Sequence, residues 1–177
     1  SGFIPGQEYG FIHLYIGQGA GKTTRAVGMA IRAAGEGLRV EFIQFMKSGV
    51  SGEVAVFKKV PNIRYRCPGE HPFIMSRGPE AVHFDHANQA LKYAWEALEH
   101  QIHLLICDEI LDTIIFGILE KERISDLMKA CKGKVELVMT GRDASREFID
   151  VADYVTELSQ IKHAYYRGAR ARKGIEY

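Results

Sequence analysis

The sequence predicts an α/β fold, with a mostly parallel sheet covered by helices on both faces. Short apolar segments rich in β-branched and aromatic residues alternate with segments of helical periodicity along the chain. A glycine cluster joins the first apolar segment directly to the first helix, and two later apolar segments end in charged residues. Strands that alternate with helices are expected to lie side by side in parallel, with the helices in the outer layers.

The first half of the chain predicts three strands and one long helix. Residues 11–16 are apolar and end at glycines, as expected for a buried strand that enters a loop. Small and apolar residues then recur at helical spacing through residues 21–35, where glycines supply the C-cap. A second strand is predicted at residues 40–45, and a weaker third strand at residues 62–66.

The second half begins with a loop and a long helix. Glycines and prolines in residues 67–79 indicate a long loop, which is a candidate substrate lid. Residues 80–100 have the apolar spacing of a long helix. The remaining strands are predicted at residues 103–107, 135–140 and 154–158, and the remaining helices at residues 111–117, 121–132 and 146–151.

Composition and charge limit the classes of function that the chain can serve. Of its 177 residues, 46% are hydrophobic and 25% are charged, which is ordinary for one globular domain spanning residues 1–177. The formal net charge is +1, so the chain as a whole lacks the electrostatic signature of a nucleic-acid or membrane binder. No apolar run approaches the roughly 20 residues needed to cross a bilayer. We therefore expect no nucleic acid and no membrane among the partners.

The two ends of the chain and its cysteines lead to further expectations. Residues 1–9 are predicted to form an N-terminal arm, and residues 160–177 a basic tail with five lysines and arginines. This tail is about equally suited to clamping a polyphosphate and to being solvated. Cys67, Cys107 and Cys131 are far apart and form no CxxC pair or zinc-type cluster, which predicts a reducing, cytoplasmic location.

Residues 17–24 (GQGAGKTT) lie between a predicted strand and a predicted helix, the context required of a phosphate-binding P-loop. Glycines allow main-chain amides to converge on phosphate oxygens, and the helix N-terminus adds partial positive charge. In this pattern Lys22 binds phosphates and is a catalytic candidate, while the Thr23 hydroxyl reaches a magnesium ion. The predicted nucleotide-binding residues of the loop are Gly17, Gln18, Gly19, Ala20, Gly21, Lys22, Thr23 and Thr24.

The spacing within this loop departs from the usual P-loop form. The standard pattern is GxxxxGK, whereas the chain has GxxxGK, so Ile16 occupies the position of the first glycine. A loop that is one residue shorter is expected to hold the phosphate chain in a different register. Hydrolysis or transfer of the γ-phosphate therefore does not follow from the loop alone.

Residues 104–109 form an apolar strand that ends in two carboxylates, as in a Walker B segment. Asp108 is predicted to organise a hydrated magnesium ion, and Glu109 to contact the metal, a ribose or a water. Glu109 is the second catalytic candidate. Acidic pairs after strands also occur as solvated turns or helix N-caps, but a pair that follows a P-loop at this sequence distance favours a nucleotide site.

Two arginines are candidates for the nucleotide site. Arg142 lies just past another predicted strand, at the sheet edge where ligands of open α/β sheets collect, and is a candidate phosphate contact. Arg32 lies three turns into the P-loop helix, and its spacing favours an ordinary surface charge.

Histidines offer a further pattern. His83 and His86 share a face of the long helix at i, i+3, which is compatible with a metal site. No matching cysteine or carboxylate set accompanies them in the sequence, so surface or capping histidines are favoured.

The whole pattern resembles one protein family. The segments that carry the resemblance are GQGAGKTT, GMAIRAAGEGLRVEFIQFMK, the strand end CDE, TGRDASREFIDVADYVTEL and KHAYYRGARARKGIEY. Together they resemble the P-loop ATP:corrinoid (cob(I)alamin) adenosyltransferases over nearly the whole chain, from Gly10 to Tyr177. No single segment is sufficient, but the short P-loop, the TGR segment and the GIEY ending form a specific combination.

The resemblance implies a fold, a reaction and partners. The fold is a three-layer P-loop NTPase of the RecA-like type, and the protein is a homodimer. In the reaction, Co(I) of a corrinoid attacks the 5′ carbon of ATP and triphosphate leaves, so both substrates are small molecules and magnesium accompanies ATP. A flavoprotein is implied as the reductant. This reaction fits the short loop, because the whole triphosphate must be stabilised as a leaving group.

The resemblance also carries over to individual residues. Residues 17–24 bind ATP, Arg32 becomes a candidate for the nucleotide site, and Asp108 and Glu109 serve the metal and ribose region. Ala20 stands where the family usually has lysine. An aromatic segment of the middle loop is replaced here by GEHPFIM, in which Phe73 is the candidate corrinoid contact.

Two other functions remain open from the residues alone. One is a diverged P-loop ATPase or kinase that acts on another small molecule and releases ADP. The other is a non-catalytic ATP-binding regulator or corrinoid carrier, which binds ATP without turnover.

Overall fold

The computed structural model describes residues 8–177, in which strands alternate with helices. The strands are β1 (Ile12–Ile16), β2 (Val40–Gln44), β3 (Ile63–Arg66), β4 (Leu104–Asp108), β5 (Glu136–Thr140) and β6 (Tyr154–Glu157). The helices are α1 (Lys22–Gly35), α2 (Gly52–Phe57), α3 (Ala81–Ala97), α4 (Ile110–Ile115), α5 (Lys121–Cys131) and α6 (Arg146–Val151), and a 3₁₀ turn spans Ala164–Arg167. Of the predicted N-terminal arm, residues 1–7 lie outside the described residues.

The six strands form one sheet in the order β3-β2-β4-β5-β1-β6. Every pairing between neighbouring strands in the described chain is parallel. The strand before the glycine loop, β1, is separated from the acidic strand β4 by β5, which is the RecA-like arrangement. The predicted α/β fold is confirmed, and the sheet is parallel throughout rather than mostly parallel.

Side chains alternate between the two faces of the sheet, so each face has its own apolar core. Leu14 of β1 and Ile43 of β2 pack in the cluster that contains residues of α3 and α5. Tyr15 and Phe42, their neighbours in sequence, pack in the other cluster with alanines of α1. Helices therefore cover both faces, which gives the predicted three layers.

Helix α1 ends in a Schellman motif. Leu38 N donates to Ala33 O and Gly37 N donates to Ala34 O, both at 3.0 Å. Gly37 has φ of 79°, a left-handed conformation that glycine adopts without a steric cost. The glycine C-cap expected from the sequence is confirmed.

The largest boundary difference lies at the end of α3. The sequence predicts helix to residue 100, whereas α3 ends at Ala97 and residues 98–100 form turns. The chain must reverse there, because His103 N and Leu104 N both donate to Arg39 O at the start of β2. The predicted loop of residues 67–79 is confirmed, and it is irregular apart from a bridge between Met75 and Gly78.

No helix in the described part of the chain is both long and apolar enough to cross a membrane.

Candidate active site

The P-loop lies at the carboxyl edge of the sheet, where it is held by the chain segments that follow β5 and β6. Gly17 N donates to Arg142 O at 3.0 Å, and Gly19 N donates to Leu158 O at 2.8 Å. A Cβ atom at Gly17 would lie 2.4 Å from Leu158 O, and one at Gly19 would lie 2.6 Å from it. The loop therefore needs glycine at both positions, because the backbone after β6 approaches too closely for a side chain.

Lys22 begins α1 and lies across the loop. Its ammonium donates to Gly17 O at 2.7 Å and to Gly19 O at 3.1 Å. Gly21, with φ of 109°, turns the chain into the helix, so that the first amides of α1 point towards the loop. The lysine, the loop and the helix N-terminus are thus brought together, as the predicted anion-binding site requires.

Asp108 ends β4 and is the most connected group of the site. Its side chain is fully buried, and both carboxylate oxygens lie 3.1 Å from the Thr23 hydroxyl. Gln44 Nε2 donates to Oδ2 at 3.1 Å, and the Thr140 hydroxyl donates to Oδ1 at 2.7 Å. The P-loop and the acidic strand, predicted as separate motifs, are thus in direct contact.

Glu109 follows β4 in a left-handed conformation, with φ of 62°. Its main-chain N–H donates to the Thr140 hydroxyl at 2.8 Å, which holds this conformation in place. Burial and the charges of Asp108 and Asp112 raise the pKa of Glu109 to about 7, although Lys47 counteracts the shift. The pKa of Glu109 therefore lies near neutral pH, well above its ordinary value of 4.5.

Lys47 is a member of the site that the sequence analysis missed. Its ammonium lies 3.2 Å from the Thr23 hydroxyl, 3.4 Å from Asp108 Oδ2 and 3.9 Å from Glu109 Oε2. Burial lowers the pKa of Lys47, but the two carboxylates outweigh this effect and the pKa lies above its ordinary value. Its position just beyond the carboxyl end of β2 was the available signal, because ligands of parallel sheets bind at that edge.

The oxygen ligands around Thr23 suit a magnesium ion. Thr23, Asp108 and Glu109 present a hydroxyl and two carboxylates, the ligand type that magnesium prefers. A cationic group, the Lys47 ammonium, already lies among these three groups. The residues predicted to bind magnesium are therefore brought together and are chemically compatible with it.

Arg142 lies at the same edge and is held by α4. Its main-chain N–H donates to Asp112 Oδ1 at 2.8 Å, and its Nε lies 3.9 Å from Asp112 Oδ2. Its guanidinium carbon lies 5.5 Å from the centre of the Phe116 ring. Gly141 before it has no space for a side chain, because a Cβ atom there would lie 2.5 Å from Leu111 Cβ. The backbone of Arg142 thus connects the P-loop to α4.

Two predicted site residues are not brought to this cluster. Arg32 is exposed in the last turn of α1, about 15 Å along the helix axis from Lys22 at 1.5 Å per residue. Phe73 is 93% exposed in the loop of residues 67–79. Their assignments to nucleotide and corrinoid stay predictions. Gln18, Ala20 and Thr24 are in the loop region with exposed side chains.

The histidines of α3 are buried rather than on the surface. His83 accepts from Glu80 N at 2.9 Å and completes a capping box, which confirms a capping role for this residue. His86 Nε2 lies 2.8 Å from Lys47 O, and the His71 ring contacts both of the other imidazoles. Within residues 8–177, no group of three or more histidines, cysteines and carboxylates is arranged to hold a metal ion.

Comparisons with known proteins agree on one family. A sequence model of the family described as ATP:corrinoid adenosyltransferase BtuR/CobO/CobP matches residues 8–177. The chain is 35% identical over 173 residues to a corrinoid adenosyltransferase of Pseudomonas aeruginosa. This alignment covers 96% of the chain and 85% of the relative. It is 28% identical over 178 residues to the corrinoid adenosyltransferase CobA of Salmonella typhimurium, covering 97% of this chain and 87% of the relative. A corrinoid adenosyltransferase of Escherichia coli K12 is 27% identical to the chain over 186 residues, and this alignment covers 96% of the chain and 87% of the relative.

Proposed function

Because the chain belongs to the ATP:corrinoid adenosyltransferase family, we propose that its reaction takes place between the P-loop and the acidic pair Asp108 and Glu109. The chain is an ATP:cob(I)alamin adenosyltransferase, which transfers the 5′-deoxyadenosyl group of ATP to Co(I) of a corrinoid and releases triphosphate. The observation that carries the location of the site is the contact at 3.1 Å between the Thr23 hydroxyl and Asp108. It joins the predicted phosphate site to the predicted cation site.

The chemistry requires little of the protein beyond position and charge. An electron pair of cobalt forms the bond to C5′, the bond between C5′ and the phosphate oxygen breaks, and its electrons leave with triphosphate. No proton moves in this step, so no general base is needed. The protein's task is to align the two substrates and to stabilise the negative charge that develops on the leaving group.

Residues of the P-loop are suited to this task. The loop amides, the N-terminus of α1 and the Lys22 ammonium all bind phosphate oxygens, and they stabilise a triphosphate more strongly as its charge grows. Arg142 adds a bidentate donor at the same edge. Magnesium bound by Thr23, Asp108 and Glu109 would neutralise part of the phosphate charge. Lys22 and Glu109 are thus the proposed catalytic residues.

Other assignments rest on the family alone. We keep Arg32 as a nucleotide contact and Phe73, in the loop of residues 67–79, as a corrinoid contact. A homodimer and a flavoprotein reductant are proposed on the same basis. A cytoplasmic location is proposed from the spacing of the cysteines, and one domain across residues 1–177 from length and composition. The basic tail of residues 160–177 remains a candidate polyphosphate clamp.

The test is anaerobic incubation of the protein with ATP, magnesium and chemically reduced cob(I)alamin. We expect light-sensitive adenosylcobalamin in the absorption spectrum and an equal amount of triphosphate by phosphorus NMR. Lys22→Met is expected to abolish product, whereas the matched variant Lys58→Met, at an exposed site outside the loop, is expected to retain it. ATP that is split to ADP, or bound and not consumed, contradicts the proposal and favours the ATPase, kinase or regulator alternative.

A further inference from the structure

The ammonium of Lys47 lies where a magnesium ion is expected. Its ammonium contacts the Thr23 hydroxyl and both carboxylates of the acidic pair, at 3.2 to 3.9 Å. A divalent cation and an ammonium group repel each other and compete for the same oxygen atoms. When one of them occupies this position, the other must therefore lie elsewhere.

The nearest alternative position for the ammonium is the phosphate chain itself. Thr23 belongs to the P-loop, so a phosphate held by the loop amides would lie beside the hydroxyl that Lys47 already contacts. Lysine has a flexible four-carbon stem and binds phosphate as a point charge. The side chain of Lys47 is one-third exposed, so movement does not require the core to open.

The main chain of Lys47 is fixed, in contrast to its side chain. Its carbonyl oxygen accepts hydrogen bonds from His86 Nε2 at 2.8 Å and from Cys67 Sγ at 3.1 Å. The next residue, Ser48, accepts a hydrogen bond from His71 N at 2.9 Å through its hydroxyl. Met46 before it has φ of 60°, an uncommon conformation for a residue other than glycine. The backbone is therefore anchored to α3 and to the loop of residues 67–79.

We propose that Lys47 is a further nucleotide-site residue: its ammonium takes the place of the divalent cation before ATP binds and binds the phosphate chain afterwards. This inference rests on the proposed function, because it assigns Lys47 to the triphosphate that leaves in that reaction. The ammonium stabilises the charge left on triphosphate when the bond from C5′ to oxygen breaks, and no proton is transferred. His86 and Cys67 act as positioning residues, since they hold the backbone from which Lys47 extends.

Two binding measurements test the proposal without using corrinoid. The first is titration of the nucleotide-free protein with Mn²⁺, followed by electron paramagnetic resonance. Lys47→Met is expected to bind Mn²⁺ at least tenfold more tightly than the native protein, because the competing ammonium is gone. The second is calorimetric titration with inorganic triphosphate in the presence of magnesium, for which Lys47→Met is expected to bind at least tenfold more weakly.

Matched variants separate charge from general damage. Lys59→Met removes an exposed lysine after α2 and is expected to leave both affinities within twofold of the native values. Lys47→Arg keeps the charge and is expected to bind triphosphate within about threefold. If Lys47→Met does not fold, as judged by circular dichroism, Lys47→Gln is measured in its place. Native affinities for both Mn²⁺ and triphosphate in a folded, uncharged variant at position 47 would overturn the proposal.

The adenosyl transfer and the role of Lys47 are tested separately. If the native protein makes no adenosylcobalamin, the proposed function fails, while the Mn²⁺ and triphosphate affinities still decide the role of Lys47. The positioning role is tested by His86→Leu, which removes the donor to Lys47 O, and by His86→Gln, which keeps an N–H donor. We expect triphosphate affinity to fall at least fivefold in the leucine variant and to be restored by glutamine. Equal affinities in both variants would contradict it.

Discussion

The hydroxyl of Thr140 donates to Asp108 Oδ1 at 2.7 Å and accepts from the main-chain N–H of Glu109 at 2.8 Å. One side chain at the end of β5 therefore orients the buried carboxylate of β4 and holds the left-handed turn that follows it. Because both partners are part of the candidate cation site, Thr140 connects the stability of the sheet edge to the geometry of that site.

Replacement of Thr140 by valine removes this connection and keeps the shape of the side chain. We expect Thr140→Val to lower the free energy of unfolding by about 1 to 3 kcal/mol, the usual cost of leaving a buried polar group without its partner. Urea denaturation measures this change. Thr156→Val in β6, where Thr156 is only partly buried, is the matched control and should change stability by less than half as much. Equal effects would show that Thr140 has no special role.

The glycines of the P-loop allow a steric test. A Cβ atom at Gly19 would lie 2.6 Å from Leu158 O, so Gly19→Ala is expected to displace the loop. We expect ATP affinity to fall by a factor of at least ten, which corresponds to about 1.4 kcal/mol or more. Calorimetry with ATP and magnesium measures the effect. Gly28→Ala in α1 meets no atom within 4 Å and is expected to stabilise the protein by up to about 1 kcal/mol, since alanine has the higher helix propensity.

Because the pKa of Glu109 is raised, we expect the stability of the protein without metal and nucleotide to depend on pH. Its pKa is about 7 in the folded protein and 4.5 ordinarily, so the unfolded chain releases this proton first. The native protein is thus expected to lose about 2 to 3 kcal/mol relative to Glu109→Gln as the pH rises from 4.5 to 7, and the loss levels off above about pH 8. Urea denaturation in EDTA at several pH values measures the difference. A difference that does not depend on pH would contradict the assignment.

Because the pKa of His71 is lowered, we expect acid to loosen the loop of residues 67–79. Burial and the neighbouring His86 and His83 lower the pKa of His71 to about 4 from an ordinary value of 6.5. A loosened loop takes up the proton first, so the stability of the packed loop falls as the pH drops from 6.5 towards 4. The Ser48 hydroxyl contacts only the main chain of His71, and the Cys67 thiol lies beside His86.

Hydrogen exchange of this loop at pH 7.5 and pH 5.5, corrected for the intrinsic effect of pH, measures the change. We expect protection to fall by up to about tenfold more in the native protein than in His71→Gln, which does not titrate. His100→Gln, at an exposed site after α3, serves as a control and should behave like the native protein.

We expect Arg142 to contribute to ATP binding, unlike an ordinary surface arginine. It lies at the P-loop edge, where Asp112 binds its main-chain N–H. We expect Arg142→Ala to weaken ATP binding about tenfold, since a charge-assisted contact with phosphate contributes about 1.5 to 3 kcal/mol when it is well formed. Arg146→Ala, four residues later and 87% exposed, should change the affinity by less than twofold. Calorimetry compares the two variants.

Local patterns in the sequence determined most of the fold and the two motifs of the site. The strand before the glycine loop, the glycine-rich turn itself and the acidic end of β4 depend on neighbouring residues, so periodicity and spacing revealed them. The shortened P-loop, together with the segments that resemble a known family, predicted the reaction class. The family matches agree with that prediction.

The tertiary structure alone decided which side chains meet at the sheet edge. Thr23 and Asp108 are 85 residues apart in sequence, and their contact exists because β5 separates β1 from β4 by one strand. Gln44 and Thr140 end their strands and Lys47 follows β2, and no local pattern distinguishes the three from other polar residues near strand ends. Their convergence on Asp108 follows from the strand order and register, which depend on long-range packing of the two apolar cores rather than on the sequence near each residue.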